Sequence, residues 1–562
     1  MNWIVKTAAF ATRWQWTRWD KLAGDPGKSQ LDLLLGLVRR NRSTQFGKDH
    51  RFDAIHSFDD YRRQVTIGDY ERLRPYVERA ENGASNILTE APVVMFTKTS
   101  GSTGAPKLIP VTETSRANHR RLTRLWYYRA HLDHPKLFSG KLLGVISPAH
   151  EGTTSGNIPF GAASGLIYQS SPLWIQNACA TPYEVAQVKD FTAKYYVVMR
   201  LAIEQEISFV GTPNPSTILR LVETAEQNKA AIIRDIRDGT ISANCHLPPT
   251  IRKSLESRLM KNPHRAAQLD RLVGHCGVLR PEDYWPNLQL IGCWKGGSAG
   301  VRLHELRRWF GASTPVRDLG YMASEAQVTL PIADAGSAGV LDVGANFYEF
   351  IPEAEIHSPQ PVTLSCDRLQ PGRSYYLILT TPAGLYRYDI NDVVRVEGYY
   401  KKTPLIEFVR KGRDVTNITG EKLHVNQLIQ AMEQAQRATG IAVRHFRAFA
   451  DIEKSRYAFM IELDDTNTHD AGLANLLHAL DERLSSLNVE YADKRNSARL
   501  TAPVLCVMKP GWFERKASAA LRAGARDVQF KADLLSAMPE DPGEIIRHIE
   551  NPAGAPSPNR RN

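Results

Sequence analysis

The sequence predicts an α/β protein: a large N-terminal unit built on a mixed sheet, followed by a smaller α+β unit. Three observations predict it. Short runs rich in β-branched and aromatic residues alternate with helical periodicity through about the first 400 residues, the pattern of strands covered by helices. Past a charged, glycine-containing run near 410–415 the order changes to helix, strand, strand, helix, strand. The composition, 42% apolar and 23% charged over 562 residues, allows several buried cores and excludes a wholly disordered or collagen-like chain.

The strand candidates of the large unit are 141–147, 287–294, 345–351, 374–381 and 393–400, each bounded by Gly, Pro or Asn. A helix is expected over Ser216–Asp238. Ile218, Leu221, Val222, Ala225, Ile232 and Ile236 recur at helical spacing there, with Pro215 before and Gly239 after. Tyr183–Glu206 reads the same way, and Leu303–Phe310 is a shorter helix. The small unit is expected to run as helix Asn426–Thr439, strands His445–Ala450 and Tyr457–Leu463, helix Asp470–Leu487 and strand Pro503–Met508. The predicted division is 1–410, 411–540 and a Pro- and Asn-rich tail, 541–562, expected to be disordered.

Several function classes drop out. Cys179, Cys245, Cys276, Cys293, Cys366 and Cys506 are sparse and form no CxxC pair, so free thiols in a reducing compartment are expected. No apolar run reaches the roughly 18 residues of a membrane helix, and Lys6 and Arg13 break the apolar N-terminal patch. A cytoplasmic monomer with no membrane partner is expected. Lys+Arg exceed Asp+Glu by 71 − 60 = 11, but the charges are spread, with only short clusters at Arg116–Arg129 and Arg307–Arg308, and no nucleic-acid motif accompanies them. The excess charge then implies anionic small substrates and no nucleic acid. Trp14, Trp16 and Trp19 suit either a membrane-interface face or packing onto their own unit, and packing is expected.

The strongest local signal is Thr99-Ser-Gly-Ser-Thr-Gly-Ala-Pro-Lys107, following the apolar run Val93–Phe96. Gly101 and Gly104 permit close backbone approach, Ser100, Ser102 and Thr103 supply hydroxyls, and Lys107 adds a compact cation. That is chemistry for a polyphosphate. Pro106 and Leu108 flank the lysine, so this is not the Walker A loop. The competing reading is a solvated Gly/Ser turn.

The loop resembles the phosphate-gripping motif of the adenylate-forming enzymes, the superfamily of acyl-CoA synthetases, luciferases and peptide-synthetase adenylation domains. The resemblance implies attack of a carboxylate on the α-phosphorus of ATP, with donors and a cation needed where charge grows. Gly296-Gly-Ser-Ala-Gly300, with Gly297 and Ser298 at its centre, is similar to the turn that lies against adenine there. Tyr321-Met-Ala-Ser-Glu325 resembles the aromatic-x-x-Ser/Thr-Glu signature. It implies Tyr321 stacking on the purine, Ser324 donating to the α-phosphate and Glu325 as a hard oxygen ligand for Mg2+. A helix N-cap serine before an acidic first turn is the competing reading. In Gly384-Leu-Tyr-Arg-Tyr-Asp-Ile-Asn-Asp392, Asp392 is implied to accept from the ribose hydroxyls at a strand end. Asp389 competes, as does a plain ion pair between an aspartate and Arg387. Arg410 to Lys422 resembles the hinge between the two domains, with Asp414 the pivot.

The wording of the segments 346–355, 321–325 and 385–411 narrows the resemblance to the Gretchen Hagen-type, auxin-responsive acyl acid amido synthetases, over about residues 90–535. That family's chemistry implies a two-step reaction using ATP and Mg2+. A carboxylic acid is adenylated, releasing pyrophosphate, and the amine of an amino acid or another amine then displaces AMP. The family's late catalytic lysine maps to Lys531 in Gly524–Lys531, although Ala532-Asp533 replaces the family's Pro-Arg; Lys516 is the other candidate. The alternatives are an acyl-CoA or carrier-protein ligase on the same fold, and a non-catalytic nucleotide- or nucleic-acid-binding protein. For the acid pocket, the Gly/Ser/Thr-rich stretch Pro148–Gly165 and the helix Asn118–Ala130, with Arg124 or Arg129, are the candidates.

Overall fold

A computed structural model of the chain describes residues 2–99, 107–162, 165, 168, 173–356, 358, 361–412, 415–463, 468–513, 515–516, 534–536 and 539–550. The chain divides into two compact units, with the boundary between Arg410 and Lys411.

The mixed character of the large unit comes from three sheets. In the first, strands Lys141–Gly144, Ile207–Gly211, Leu290–Gly292 and Val316–Arg317 lie side by side and all parallel. Parallel neighbours need crossover connections, and helices fill the intervals. The strands are near-continuous apolar runs because both faces are covered. Ile207, Val210 and Ile291 pack with Val197, Val198, Ile218 and Leu221 of helices Phe191–Ala202 and Pro215–Gln227. The predicted helix 216–238 is two helices, Pro215–Gln227 and Lys229–Asp238. Asn228 ends the first: its side-chain amide and its backbone N–H both donate to the Thr224 carbonyl. The predicted helix 183–206 is a 3₁₀ turn, Tyr183–Gln187, then helix Phe191–Ala202 started by Asp190, whose carboxylate accepts from Ala193 N at 2.6 Å.

The second sheet has six strands in the order Phe347–Pro352, Ser374–Thr380, Tyr388–Tyr400, Thr403–Lys411, Gly339–Leu341, Thr329–Leu330. Helices Pro26–Arg40 and Tyr70–Glu81 cover it, through Leu34, Val38, Leu73 and Val77 against Phe347, Leu377, Leu379 and Val394. In the third sheet, Val93–Thr99 pairs antiparallel with Lys107–Thr112 as far as Thr99 opposite Lys107. Ser100, Gly101, Ser102, Thr103 and Gly104 fall between those ends and lie outside the described residues. In the Gly/Ser/Thr-rich stretch, Gly161 lets the chain cross tightly: a Cβ there would stand 2.3 Å from the Ala149 carbonyl oxygen.

The tryptophans near the start divide. Trp19 is 1% exposed and stacks on Tyr400 at 5.9 Å, Trp16 leans on Trp19 and Tyr128, and Trp14 is 67% exposed. Among the described residues, no helix is long and apolar enough to cross a membrane.

The small unit is a five-stranded sheet, ordered Leu535–Ser536, Val443–Asp451, Arg456–Leu463, Val504–Met508, Ile545–Glu550, packed against helices Val425–Thr439 and Asp470–Leu487. A further helix, Val489–Asn496, escaped the sequence reading. The last strand corrects the expected tail of 541–562. Ile545–Glu550 pairs antiparallel with Val504–Met508 and buries Ile549 in the core. Ile545, Arg547 and Ile549 share the more buried face, but an arginine among them and the neighbouring Ile546 on the exposed face break the alternation that marks a strand. Asp414 of the expected hinge and Lys531 lie outside the described residues.

Candidate active site

Strands Leu290–Gly292 and Val316–Arg317 end side by side in the parallel sheet, at the carboxyl edge where open α/β sheets bind ligands. After the first come Lys295 and the 3₁₀ turn Gly297–Arg302, which contains Ser298, then helix Leu303–Phe310. Gly297 has φ 56°, and a Cβ there would stand 3.1 Å from the Phe408 ring, so the turn needs glycine at this position. After the second strand come Asp318, Gly320 and Tyr321. Asp318, which no motif flagged, accepts from the backbone N–H of Lys295 and of Gly320, each at 2.6 Å.

Residues 321–328 form a tight hairpin. Val328 N donates to the Tyr321 carbonyl at 2.8 Å, Met322 bridges Gln327, and Ala323 N donates to the Ala326 carbonyl at 2.8 Å. Ser324 and Glu325 therefore sit at the tip of a turn, which removes the helix N-cap reading. The Tyr321 ring is 8% exposed and lies 5.5 Å from the Phe408 ring. Its hydroxyl donates to Asp392 Oδ2 at 2.5 Å. Burial and then the Asp392 charge hold the Tyr321 phenol well above its usual pKa, so it stays a donor. The Tyr388 hydroxyl donates to Glu325 Oε1 at 3.3 Å.

Asp392 does not stand at a strand end; it lies within Tyr388–Tyr400, at an irregularity. Tyr376 pairs with Val393 and Ile378 with Asp389, so two extra residues are inserted on this strand. Asn391 takes φ 56°, and its N–H donates to Asp389 Oδ1 at 2.8 Å. Such a bulge re-aims a side chain, and here Asp392 is buried at 2% exposure against Tyr321. Arg387 forms no ion pair with either aspartate. Its guanidinium meets Glu349 through Nε at 2.9 Å and Nη2 at 2.8 Å, both side chains nearly buried. The ion-pair reading of this segment is thereby removed.

The cations separate by their partners. The Lys107 ammonium lies over the Tyr70 ring at 5.6 Å. Arg410 is paired with Glu353, and Lys516 with Glu540. On helix Glu113–Asp133, Arg116 and Arg120 reach Glu113, Arg121 binds the buried Asp342 at 2.6 Å, and Arg129 holds the Ile332 carbonyl and Asp133. Arg124, exposed, makes no hydrogen bond or ion pair among the described residues. Partial desolvation of its guanidinium, and then Arg120 and Arg121, lower its pKa. No cluster of three or more His, Cys, Asp or Glu side chains suited to a metal occurs among the described residues.

Three family models match in succession: GH3 family N-terminal domain over residues 16–316, central domain over 339–411 and C-terminal domain over 426–540. The chain belongs to the GH3 family. Among its GH3 relatives is the indole-3-acetic acid-amido synthetase GH3.4 of Arabidopsis thaliana, 26% identical over 545 residues, covering 91% of this chain and 89% of that protein. The jasmonoyl–L-amino acid synthetase GH3.5 of Oryza sativa subsp. japonica is 26% identical over 551 residues, covering 91% and 92%. The solved GH3.15 acyl acid amido synthetase shares the fold at TM-score 0.63 and 19% identity, over 95% of this chain and 96% of that one. A 2-hydroxyisobutyryl-CoA ligase shares it more distantly, at TM-score 0.51 and 12% identity over 92% and 91%.

Proposed function

We propose that this GH3-family chain is an ATP-dependent acyl acid amido synthetase. A carboxylate oxygen of the acid attacks the α-phosphorus of ATP, the bond to the bridging oxygen breaks, and pyrophosphate leaves. The amine of an amino acid then attacks the acyl carbonyl, the C–O bond to the phosphate breaks, AMP leaves, and the nitrogen's proton passes to solvent. The observation that carries the reading is the Tyr321–Asp392 hydrogen bond, which brings two motifs 71 residues apart to one place.

In this reading Tyr321 borders the purine and Asp392 accepts from the ribose. Ser324, at the turn tip, donates to the α-phosphate. Gly297 and Ser298 let the backbone approach the base. Ser100, Gly101, Ser102, Thr103, Gly104 and Lys107 grip the β- and γ-phosphates, and Arg410 closes the edge of the nucleotide site. Arg124, the arginine of its helix that has no hydrogen-bond or ion-pair partner among the described residues, receives the acid's carboxylate and holds it for in-line attack. Lys531 neutralises the meeting anions.

Mg2+ fits this donor set. Glu325 offers one carboxylate at an open turn, and Mg2+ is usually held by one or two carboxylates plus substrate phosphates rather than by a protein cage. When bound, the ion would offset charge on the phosphate oxygens; Tyr388 keeps the carboxylate aimed. The six cysteines form no disulfide among the described residues, which suits a reducing compartment such as the cytoplasm.

The test is acid-dependent ATP–pyrophosphate exchange across a panel of carboxylic acids, then AMP release with amino acids against CoA. Exchange followed by amino-acid-dependent AMP release is expected. Release with CoA alone would favour the thioester ligase, and salt-sensitive nucleic-acid binding without exchange would favour the binding protein.

A further inference from the structure

We propose that Asp318 is a positioning residue for adenylation, fixing the Gly296–Gly300 turn, the Tyr321 hairpin and helix Glu113–Asp133 in one geometry. The inference rests on the function proposed above. Three contacts converge on this residue. Its carboxylate accepts from Lys295 N, the last residue before the turn, at 2.6 Å. It accepts from Gly320 N, the residue before Tyr321, also at 2.6 Å. Its main-chain carbonyl accepts from Trp126 Nε1 at 2.8 Å, two residues beyond Arg124 on the helix. One residue thus ties the base-facing turn, the purine-facing tyrosine and the acid-facing arginine.

The energetics argue that this carboxylate is kept for placement rather than for stability. It is 4% exposed and makes no ion pair among the described residues. The Lys295 ammonium turns instead to the carbonyls of Val316, at 3.2 Å, and Asp334. The charged and titratable groups facing Asp318 are Lys295 and Cys293 from the end of strand Leu290–Gly292, and Glu407 from strand Thr403–Lys411. Helix Glu113–Asp133 meets it with the Trp126 indole. Burial, only partly offset by the two N–H donors, pushes its pKa up to about 6 from 3.8. A folded pKa raised in this way gives stability below about 3.8 that is gone above about 6. At neutral pH the ionised group is therefore a cost to folding. A carboxylate nevertheless does what an amide cannot: it accepts from two N–H groups, whereas asparagine accepts from one and faces the other with its own donor.

The experiment measures acid-dependent ATP–pyrophosphate exchange, its pH profile and thermal midpoints for wild type, D318N, D318E and W126F. D318N is expected to fold as stably as wild type at pH 7.5, yet to lose about tenfold to a hundredfold in kcat, the scale of a small misplacement. Its profile should lose the acid limb that wild type shows near pH 6, and D318E, with two acceptors, should recover part of the rate. W126F is expected to raise the KM for the acid several-fold with the KM for ATP unchanged. D318N with wild-type kcat, KM and pH profile would overturn the inference. Were D318N not to fold, an unchanged acid KM in W126F would overturn it. Were wild type silent with every acid, the proposed function would fall. Binding of trinitrophenyl-ATP would then decide the role of Asp318, a tenfold weaker D318N supporting it and equal affinity refuting it.

Discussion

The Tyr321 hydroxyl donates to the Asp392 carboxylate at 2.5 Å, with Asp392 2% exposed and the tyrosine ring nearly as buried. In the proposed nucleotide site this carboxylate accepts from the ribose while the tyrosine hydroxyl keeps it oriented. Y321F removes that donor and leaves a buried charge less satisfied, a loss of about 1–3 kcal/mol. The expected result is a KM for ATP raised about tenfold, with little change in the KM for the acid, in pyrophosphate-exchange kinetics. Because the Tyr321 hydroxyl acts through Asp392, Y321F should add little to D392N. Fully additive losses would separate them.

Arg121 and Arg124 lie one turn apart in sequence but have opposite surroundings. Arg121 neutralises Asp342, whose side chain is 0% exposed. R121M strands that charge and should destabilise the protein by about 3–5 kcal/mol, measured by urea unfolding. Arg124 has no such partner to strand among the described residues. R124M should leave stability within about 0.5 kcal/mol, the usual range for a substitution that breaks no contact. Its effect should appear as a KM for the carboxylic acid at least tenfold higher.

His119, on the same helix, supplies a pH signature. Burial pushes its pKa down to about 4 from 6.5. A depressed folded value means that the stability it contributes is full above about 6.5 and is lost as pH falls toward about 4. Thermal midpoints should drop between pH 7.5 and pH 5, less what protonation of Asp318 restores, and H119Q should flatten the drop or turn it into a rise. A variant that loses as many degrees as wild type would assign the acid lability elsewhere.

Elements written in local pattern were legible in the sequence. Helices Leu303–Phe310 and Asp470–Leu487 begin and end where periodicity places them. The strands 374–381 and 393–400 were found because β-branched and aromatic runs seldom read otherwise, though the second is the last eight residues of a longer strand that starts at Tyr388. Pairings across the chain were not legible. Nothing near Arg387 announces Glu349, 38 residues earlier, as its partner. The inward aim of Asp392 depends on a bulge, which the left-handed Asn391 permits but does not advertise. Asp318 belongs to no motif, and its role follows from two backbone amides that only the adjacent strand ends bring together.

The two candidate lysines of the small unit can be told apart through Glu540. That carboxylate is buried, which raises its pKa, yet Lys516, Arg447 and the Trp512 indole together hold it below the ordinary value. Lys516 binds it directly, and Arg447 lies 2.8 Å from the same oxygen. An ammonium committed to a buried carboxylate is poorly free to meet a phosphate, since leaving would strand the negative charge. K516M keeps Arg447 on Glu540, so the protein should fold, with an adenylation rate within about twofold of wild type and a modest stability loss of about 1 kcal/mol. K531M should lose about a hundredfold in kcat, the scale of removing one donor from a charge-stabilising site. Pyrophosphate-exchange rates on the two variants decide the matter, and a collapse in K516M with K531M intact would exchange their roles.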